Sequence, residues 1–245
     1  MISRSFERNL LAKGVPARKL RRIYNPATRE MREAVAADGS EPARLLSMGN
    51  IGHSQGLAAL VDAFEGSDAA RCNEMRLVIV GAGVASGEVR AAQRTASVEF
   101  RGLVNDEELD DELGRATLGV VSQRPDVSEF NVPSKLMNYM ARGLPVLASV
   151  RTDSEVAGLV EESGAGWVTD CANPAEFATR AANVVRDRDE LARRGRAGLQ
   201  YALRHFAPER TAEAFERVLL EAVGMTDEQP PTRALRAGAP RGRLL

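Results

Sequence analysis

Lysine is almost missing from this 245-residue chain: of 33 basic residues only Lys13, Lys19 and Lys135 are lysine, and arginine supplies the rest. The two cysteines, Cys72 and Cys171, are far apart and lack metal-ligand spacing, which excludes a disulfide framework and a zinc site and fits a reducing cytoplasm. With two histidines and no Ser-His-Asp or Cys-His pattern, the chain offers no self-contained hydrolytic machinery. No apolar run approaches the roughly 20 residues that span a bilayer, and the first residues lack a signal-peptide core. The expectation is a cytoplasmic protein, at most peripheral at the inner face of a membrane. A formal net charge of -1 leaves no basic excess for neutralising phosphates, which excludes a general nucleic-acid binder.

What is present is 44% hydrophobic residues, enough for one main domain with appendages. From Ala43 onward, short β-rich runs at 44–48, 76–80, 97–100, 118–122, 145–149 and 166–169 alternate with amphipathic stretches near 55–65, 84–94, 106–115, 134–142 and 153–162. Runs such as Leu77-Val78-Ile79-Val80 are apolar on both faces, as parallel strands covered by helices on each side require. The pattern predicts an α/β fold, a doubly wound parallel sheet of Rossmann-like type, over residues 41–205. After Asn173-Pro174 it predicts helices near 174–186, 188–203 and 208–223. Residues 225–245, rich in proline, arginine, glycine and alanine, read as a disordered tail. At the other end, a helix over Ser3–Lys13, stopped by Gly14, and a short strand at Ile23-Tyr24-Asn25-Pro26 look like closing pieces of another domain.

Four segments could carry chemistry. Val132-Pro133-Ser134-Lys135 opens a helix that Gly143 stops and a buried strand follows. A helix start carries unpaired N–H groups and about half a unit of positive charge, so it suits phosphate, and Ser134 and Lys135 add a hydroxyl and an ammonium. An ordinary helix capped by Ser134 has the same signature. Gly49-Asn50-Ile51-Gly52-His53-Ser54-Gln55-Gly56 follows the first core strand, and its glycines let backbone N–H groups approach a ligand. The same spacing also suits a tight strand-to-helix turn, with His53 on the surface. Gly81-Ala82-Gly83 through Gly87 is a loosened dinucleotide fingerprint with Glu99 at the distance of a ribose-binding acid. Ser97 through Val104 is a strand end running into a loop. The acidic run 106–112 reads as a solvated helix face with a favourable acidic N-terminus. In a doubly wound sheet, these loops converge at the carboxyl edge of the strands and make a nucleotide-sized cleft.

Taken together, Ser47 through Gly52, Gln55-Gly56-Leu57, Leu77 through Gly83, Phe100 through Val104 and Pro133 through Ala148 resemble, over about residues 40–220, the C-terminal half of family 4 glycosyltransferases. These are retaining enzymes of GT-B architecture, and the resemblance is nearest to the subgroup acting in bacterial exopolysaccharide, O-antigen and colanic acid assembly. It implies a nucleotide-sugar donor, such as a UDP-sugar, with its diphosphate against Gly49, Asn50, Gly52 and Gln55 and against Pro133, Ser134 and Lys135. It places the base near Leu103 and Val104 and the ribose at Asn138, where many members carry a glutamate. Many members also have an arginine and a lysine where this chain has Asn50 and Gln55, and the first glutamate of the family's paired motif falls at Phe130, beside Glu129.

The resemblance makes residues 1–40 the end of an N-terminal domain plus interdomain linker and 206–224 a helix crossing back to that domain. The acceptor domain, with the catalytic residues, is then expected elsewhere: the chain either works with a separately encoded acceptor domain or is a truncated gene product. No essential metal is implied, since helix dipole and loop donors meet the diphosphate charge. Two other readings stay open: a non-catalytic nucleotide-binding or protein-interaction module, and a dinucleotide-dependent oxidoreductase using Gly81 to Gly87.

Overall fold

A computed structural model describes residues 3–34, 42–127 and 132–224. Six strands, β1 Ala43–Met48, β2 Met75–Val80, β3 Val98–Gly102, β4 Leu118–Ser122, β5 Val146–Val150 and β6 Gly166–Asp170, form one sheet in the order β3-β2-β1-β4-β5-β6. All pairings are parallel, so this is the doubly wound α/β sheet the alternating pattern predicts. The helices are α1 Arg4–Ala12, α2 Leu57–Glu65, α3 Asp68–Arg71, α4 Ser86–Ala92, α5 Asp106–Arg115, α6 Ser134–Ala141, α7 Glu155–Ser163, α8 Pro174–Val184, α9 Arg188–His205 and α10 Pro208–Ala222. Among the described residues, no helix is long and apolar enough to cross a membrane.

The strands alternate their side chains between two cores. Leu45, Leu77, Ile79, Val120 and Leu147 point toward α2, α4 and α8, while Leu46, Val78, Val121, Val146 and Ala148 point toward α6, α7 and the end of α9. Both faces are therefore dry, which is why these strands read as continuous apolar runs.

The strand order reverses between β1 and β4, and there the pairing is short, confined to Leu45 with Leu118 and Leu46 with Gly119. Above it, the hydroxyl of Tyr139 on α6 donates to the Leu46 carbonyl (2.8 Å) and accepts the Met48 N–H (3.0 Å). One phenol thus replaces a rung of the ladder. Its ring lies over Gly119, where a Cβ would come within 2.6 Å, so β4 needs glycine at that point. Burial pushes the Tyr139 pKa far above that of an ordinary tyrosine, so the hydroxyl stays protonated and serves both bonds.

Two local expectations are corrected. Residues 20–34 contain no strand: Ile23-Tyr24-Asn25-Pro26 is part of an extended strap lying on the helices. The strap's Ala27 N–H bonds the Phe206 carbonyl and Tyr24 packs edge-on against Phe206, so helix contacts replace a sheet partner. The acidic run is not wholly solvated, because Glu112 is buried and ion-paired to Arg44 on β1 at 2.8 Å. Asp110 in the same run is half-buried and paired with Arg142 at 3.4 Å, while the first turn behaves as expected, opening on an Asn105–Glu108 capping box. The expected tail at 225–245 lies outside the described residues.

Replacing Tyr139 by Phe orphans a buried carbonyl and a buried N–H, at about 1–3 kcal/mol each, so the unfolding free energy is expected to fall by about 2–6 kcal/mol with the m-value unchanged. Urea denaturation followed by circular dichroism measures it; an unshifted midpoint rules out the rung.

Candidate functional site

In a parallel sheet the loops after each strand leave at one edge, and ligands of such sheets bind where the strand order reverses. Here that point lies between the loop after β1, residues 49–56, and the segment leading from β4 into α6. Pro133, extended at φ -66° and ψ 134°, is the residue before the first helical one and provides no side-chain cap; Ser134 is the first helical residue and is exposed. The reading of Ser134 as an ordinary cap is therefore not what the structure has. Phosphate-binding helix starts leave their first N–H groups without a side-chain cap in this way.

Lys135 turns inward, 7% exposed, and its Nζ donates to Gln55 Oε1 at 3.1 Å. Gln55 in turn donates through Nε2 to the Asn50 carbonyl, closing the loop on itself. Gly49 and Asn50 are exposed at the tip, Gly49 at φ +98°, while Ile51 plugs into the core and Gly52 is half-buried. The structure thus brings Gly49, Asn50, Gly52, Gln55, Pro133, Ser134 and Lys135 to one place. Leu103 and Val104 stand on the next loop but one: Leu103 is 81% exposed, while Val104 packs against the core.

The loops after β1, β2 and β3 are laced together by backbone. Gly49 N–H bonds the Val80 carbonyl, Ile51 N–H the Ala82 carbonyl, Ala85 N–H the Ile51 carbonyl and Gly81 N–H the Gly102 carbonyl. This explains the glycines at 81 and 83: a Cβ on Gly81 would lie 1.9 Å from the Gly49 carbonyl oxygen, and one on Gly83 2.4 Å from that of Ile51. Their empty side is filled by the chain's own neighbouring loop rather than left for a cofactor. Glu99, the proposed ribose acid of a dinucleotide site, is engaged by Arg76 (3.0 Å) and Arg101 (3.0 Å). Burial pushes its carboxyl up, and these two arginines pull it below the ordinary glutamate range. The dinucleotide reading is corrected on both counts.

Asn138, given to the ribose by the resemblance, meets the strap. Its Oδ1 accepts the Thr28 N–H at 2.8 Å and its Nδ2 donates to Thr28 Oγ1 at 3.0 Å, so the carboxamide is engaged by the strap. His53 is a surface residue beside Glu88 (3.3 Å). The paired-glutamate position at Phe130 and Glu129 lies outside the described residues. Three residues at or beneath the edge were not legible from spacing. Thr28 arrives from the strap, Tyr139 sets the height of α6, and Arg124 after β4 donates its N–H to the Ser54 carbonyl, with its side chain packed under Gly56. Each depends on a contact between distant segments, and no local pattern announces it. Among the described residues, no three His, Cys, Asp or Glu side chains gather in a way that could hold a metal.

Fold and edge together define a Rossmann-like α/β domain with its open loops at the switch point. A family model for glycosyl transferases group 1 matches residues 42–187, more than half of the chain, and the chain belongs to that family. A sequence search of curated proteins gives no match. Among solved structures, the fold is similar to the lipopolysaccharide outer core galactosyltransferase WaaB in its apo form (TM-score 0.70, 16% identity, covering 90% of this chain and 60% of that one). It is also similar to Anabaena Alr3699/HepE in complex with UDP (0.71, 15%, 91% and 62%) and to sucrose-phosphate synthase from Thermosynechococcus elongatus (0.69, 18%, 91% and 58%). The chain therefore spans about three-fifths of the length of these structures. It is a glycosyltransferase group 1 domain that resembles one half of the GT-B architecture.

Gly83→Ala should force the Ile51 backbone away and lower the unfolding free energy by about 1–3 kcal/mol, the usual cost of overpacking. Hydrogen exchange should rise at 49–56 and not in β5 or β6; uniform exchange across both regions would contradict the lacing.

Proposed function

We propose that this chain is the donor-binding half of a family 4, retaining glycosyltransferase of the kind that builds bacterial exopolysaccharide, O-antigen or colanic acid. It takes a nucleotide-diphosphate sugar for transfer to a polysaccharide or lipid-linked acceptor. The observation that carries this reading is the Lys135–Gln55 hydrogen bond, which draws the uncapped start of α6 against the glycine loop at the switch point of the sheet. The names of two similar structures support the ligand class: Anabaena Alr3699/HepE is described with UDP and with UDP-glucose, and S. aureus TarM with UDP.

In this reading the diphosphate lies across the α6 start, with Ser134 and Lys135 on one side and the Gly49–Gly52 backbone on the other, and the base reaches the exposed Leu103. When the sugar departs, negative charge grows on the leaving diphosphate. Lys135 and the α6 N-terminus are fixed donors aimed at that charge, and they need no reorganisation as it develops. That arrangement supplies charge compensation without an essential metal ion.

The sugar must also meet an acceptor and a group that assists its departure, and we assign both to an acceptor domain facing this edge. Residues 1–40 serve as the linker to it and α10 as the helix that reaches it, with Phe215 and Leu219 on α10 and Val223 just past its end forming an exposed apolar stripe four residues apart. The complex works in the cytoplasm at the inner face of the membrane, where lipid-linked acceptors are found. Alone, the chain binds nucleotide weakly and transfers little sugar. The same stripe favours the second reading, a non-catalytic module recruited by its apolar face.

UDP should bind the chain, as measured by calorimetry and thermal shift, and Ser134→Ala combined with Lys135→Ala should weaken binding by about 1.5–3 kcal/mol, the worth of hydrogen bonds to a charged group. Equal affinity in the double variant refutes the phosphate assignment. Absence of any nucleotide-dependent shift in the unaltered chain leaves the recruitment reading.

A further inference from the structure

The strap over residues 27–34 runs along α6 in the same direction as the helix. Thr28 meets Asn138, Arg32 N–H donates to the Ala141 carbonyl at 2.9 Å, and a Cβ on Gly143 would come within 2.9 Å of Ala34 N. Arg29 ties the same strap to Asp106 on α5 at 2.7 Å, and Ala27 N–H ties it to the Phe206 carbonyl at the end of α9. Beneath α6 is the sheet, with Tyr139 bonded into the β1 backbone. Every residue of α6 from Lys135 to Ala141 is buried as a result. The helix cannot shift along its axis without carrying the strap.

Asn138 stands one turn beyond Lys135, on the same side of the helix. It is 7% exposed, whereas Thr28 lies over it at the surface. An asparagine carboxamide has two donors and one acceptor oxygen, and here both ends are engaged by a single residue of the strap.

We infer that the strap is a positioning element of the α6 site: Asn138 acts through Thr28 rather than on the ligand, and this pair fixes where α6 presents Lys135 to Gln55. The inference rests on the nucleotide-site reading above. It makes Thr28 and Asn138 positioning residues and couples occupancy of the site to the segment that leads back to α1.

Hydrogen exchange of the full chain with and without UDP tests it, alongside affinities for UDP and 2′-deoxy-UDP, in the unaltered chain and in Thr28→Val, Thr28→Ser and Asn138→Leu. UDP is expected to slow exchange at 27–34 as well as at 49–56. Thr28→Val should abolish the slowing at 27–34 and weaken UDP about three- to tenfold, the effect of one hydrogen bond, and Thr28→Ser should restore both. The ratio of UDP to 2′-deoxy-UDP affinity should be the same in every variant. Protection of 49–56 with none of 27–34 overturns the coupling. Loss of the preference for UDP in Asn138→Leu alone overturns the assignment by making Asn138 a direct ribose contact. Failure of the nucleotide reading looks different, because then neither segment is protected; faster exchange at 27–34 in Asn138→Leu without nucleotide would then uphold only the anchoring of the strap.

Discussion

The structure depends on the immobilisation of one short helix. Eight residues, Ser134–Ala141, would be marginal alone in water, because a helix this short cannot offset the cost of its nucleus even with good helix formers. Three surfaces hold them: the sheet below, reached through Tyr139; α9 at the side; and the strap above. Because the phenol takes the place of a missing rung between β1 and β4, the helix is fixed to the backbone at the strand-order reversal itself rather than merely packed over it. The site inherits that rigidity, since its loops are bonded to one another and to the strand ends.

This rigidity organises the charge. Arginine, the chain's dominant cation, is used largely to fasten elements: Arg44 to Glu112 under the sheet, Arg29 to Asp106 across the strap, Arg4 to Glu162 between α1 and α7. Its planar fork suits such fixed pairing with carboxylates. The described part of the site uses a lysine instead, drawn in against a neutral glutamine. Its Nζ donates to Gln55 Oε1, which ties the start of α6 to the glycine loop.

The α1 end of the molecule follows the same economy of partners. Glu155, in the first turn of α7, accepts the N–H groups of Arg4 and Ser5, so one carboxylate meets the unpaired donors at the start of α1 while standing at the start of α7. The strap that continues from α1 is therefore fastened at both ends, to α7 through α1 and to α6 through Thr28 and Arg32. The strap and the glycine loop thus both bond to α6, at Asn138 and Ala141 and at Lys135.

Much of the fold was legible in the sequence because it rests on short-range rules. Short β-rich runs located all six strands to within a residue or two, and 3.6-residue periodicity with Pro, Gly and capping residues located eight helices from α2 onward, leaving out only the four-residue α3. The site's glycine loop and helix start were legible for the same reason, being turn and cap chemistry. What failed was everything set by a distant partner. Residues 23–26 have strand-like composition but find helices instead of a strand, Glu112 looks solvated until Arg44 is brought beside it, and the contact of Asn138 with Thr28 has no local signal. Sequence alone determined which segments are helix or strand and which loops lie at the carboxyl edge of the sheet, because periodicity and turn chemistry act within a few residues. Only the tertiary structure decided that the glycines at 81 and 83 make room for the chain's own backbone, that Tyr139 holds the helix and that the strap occupies Asn138, because those outcomes depend on atoms brought together from far along the chain.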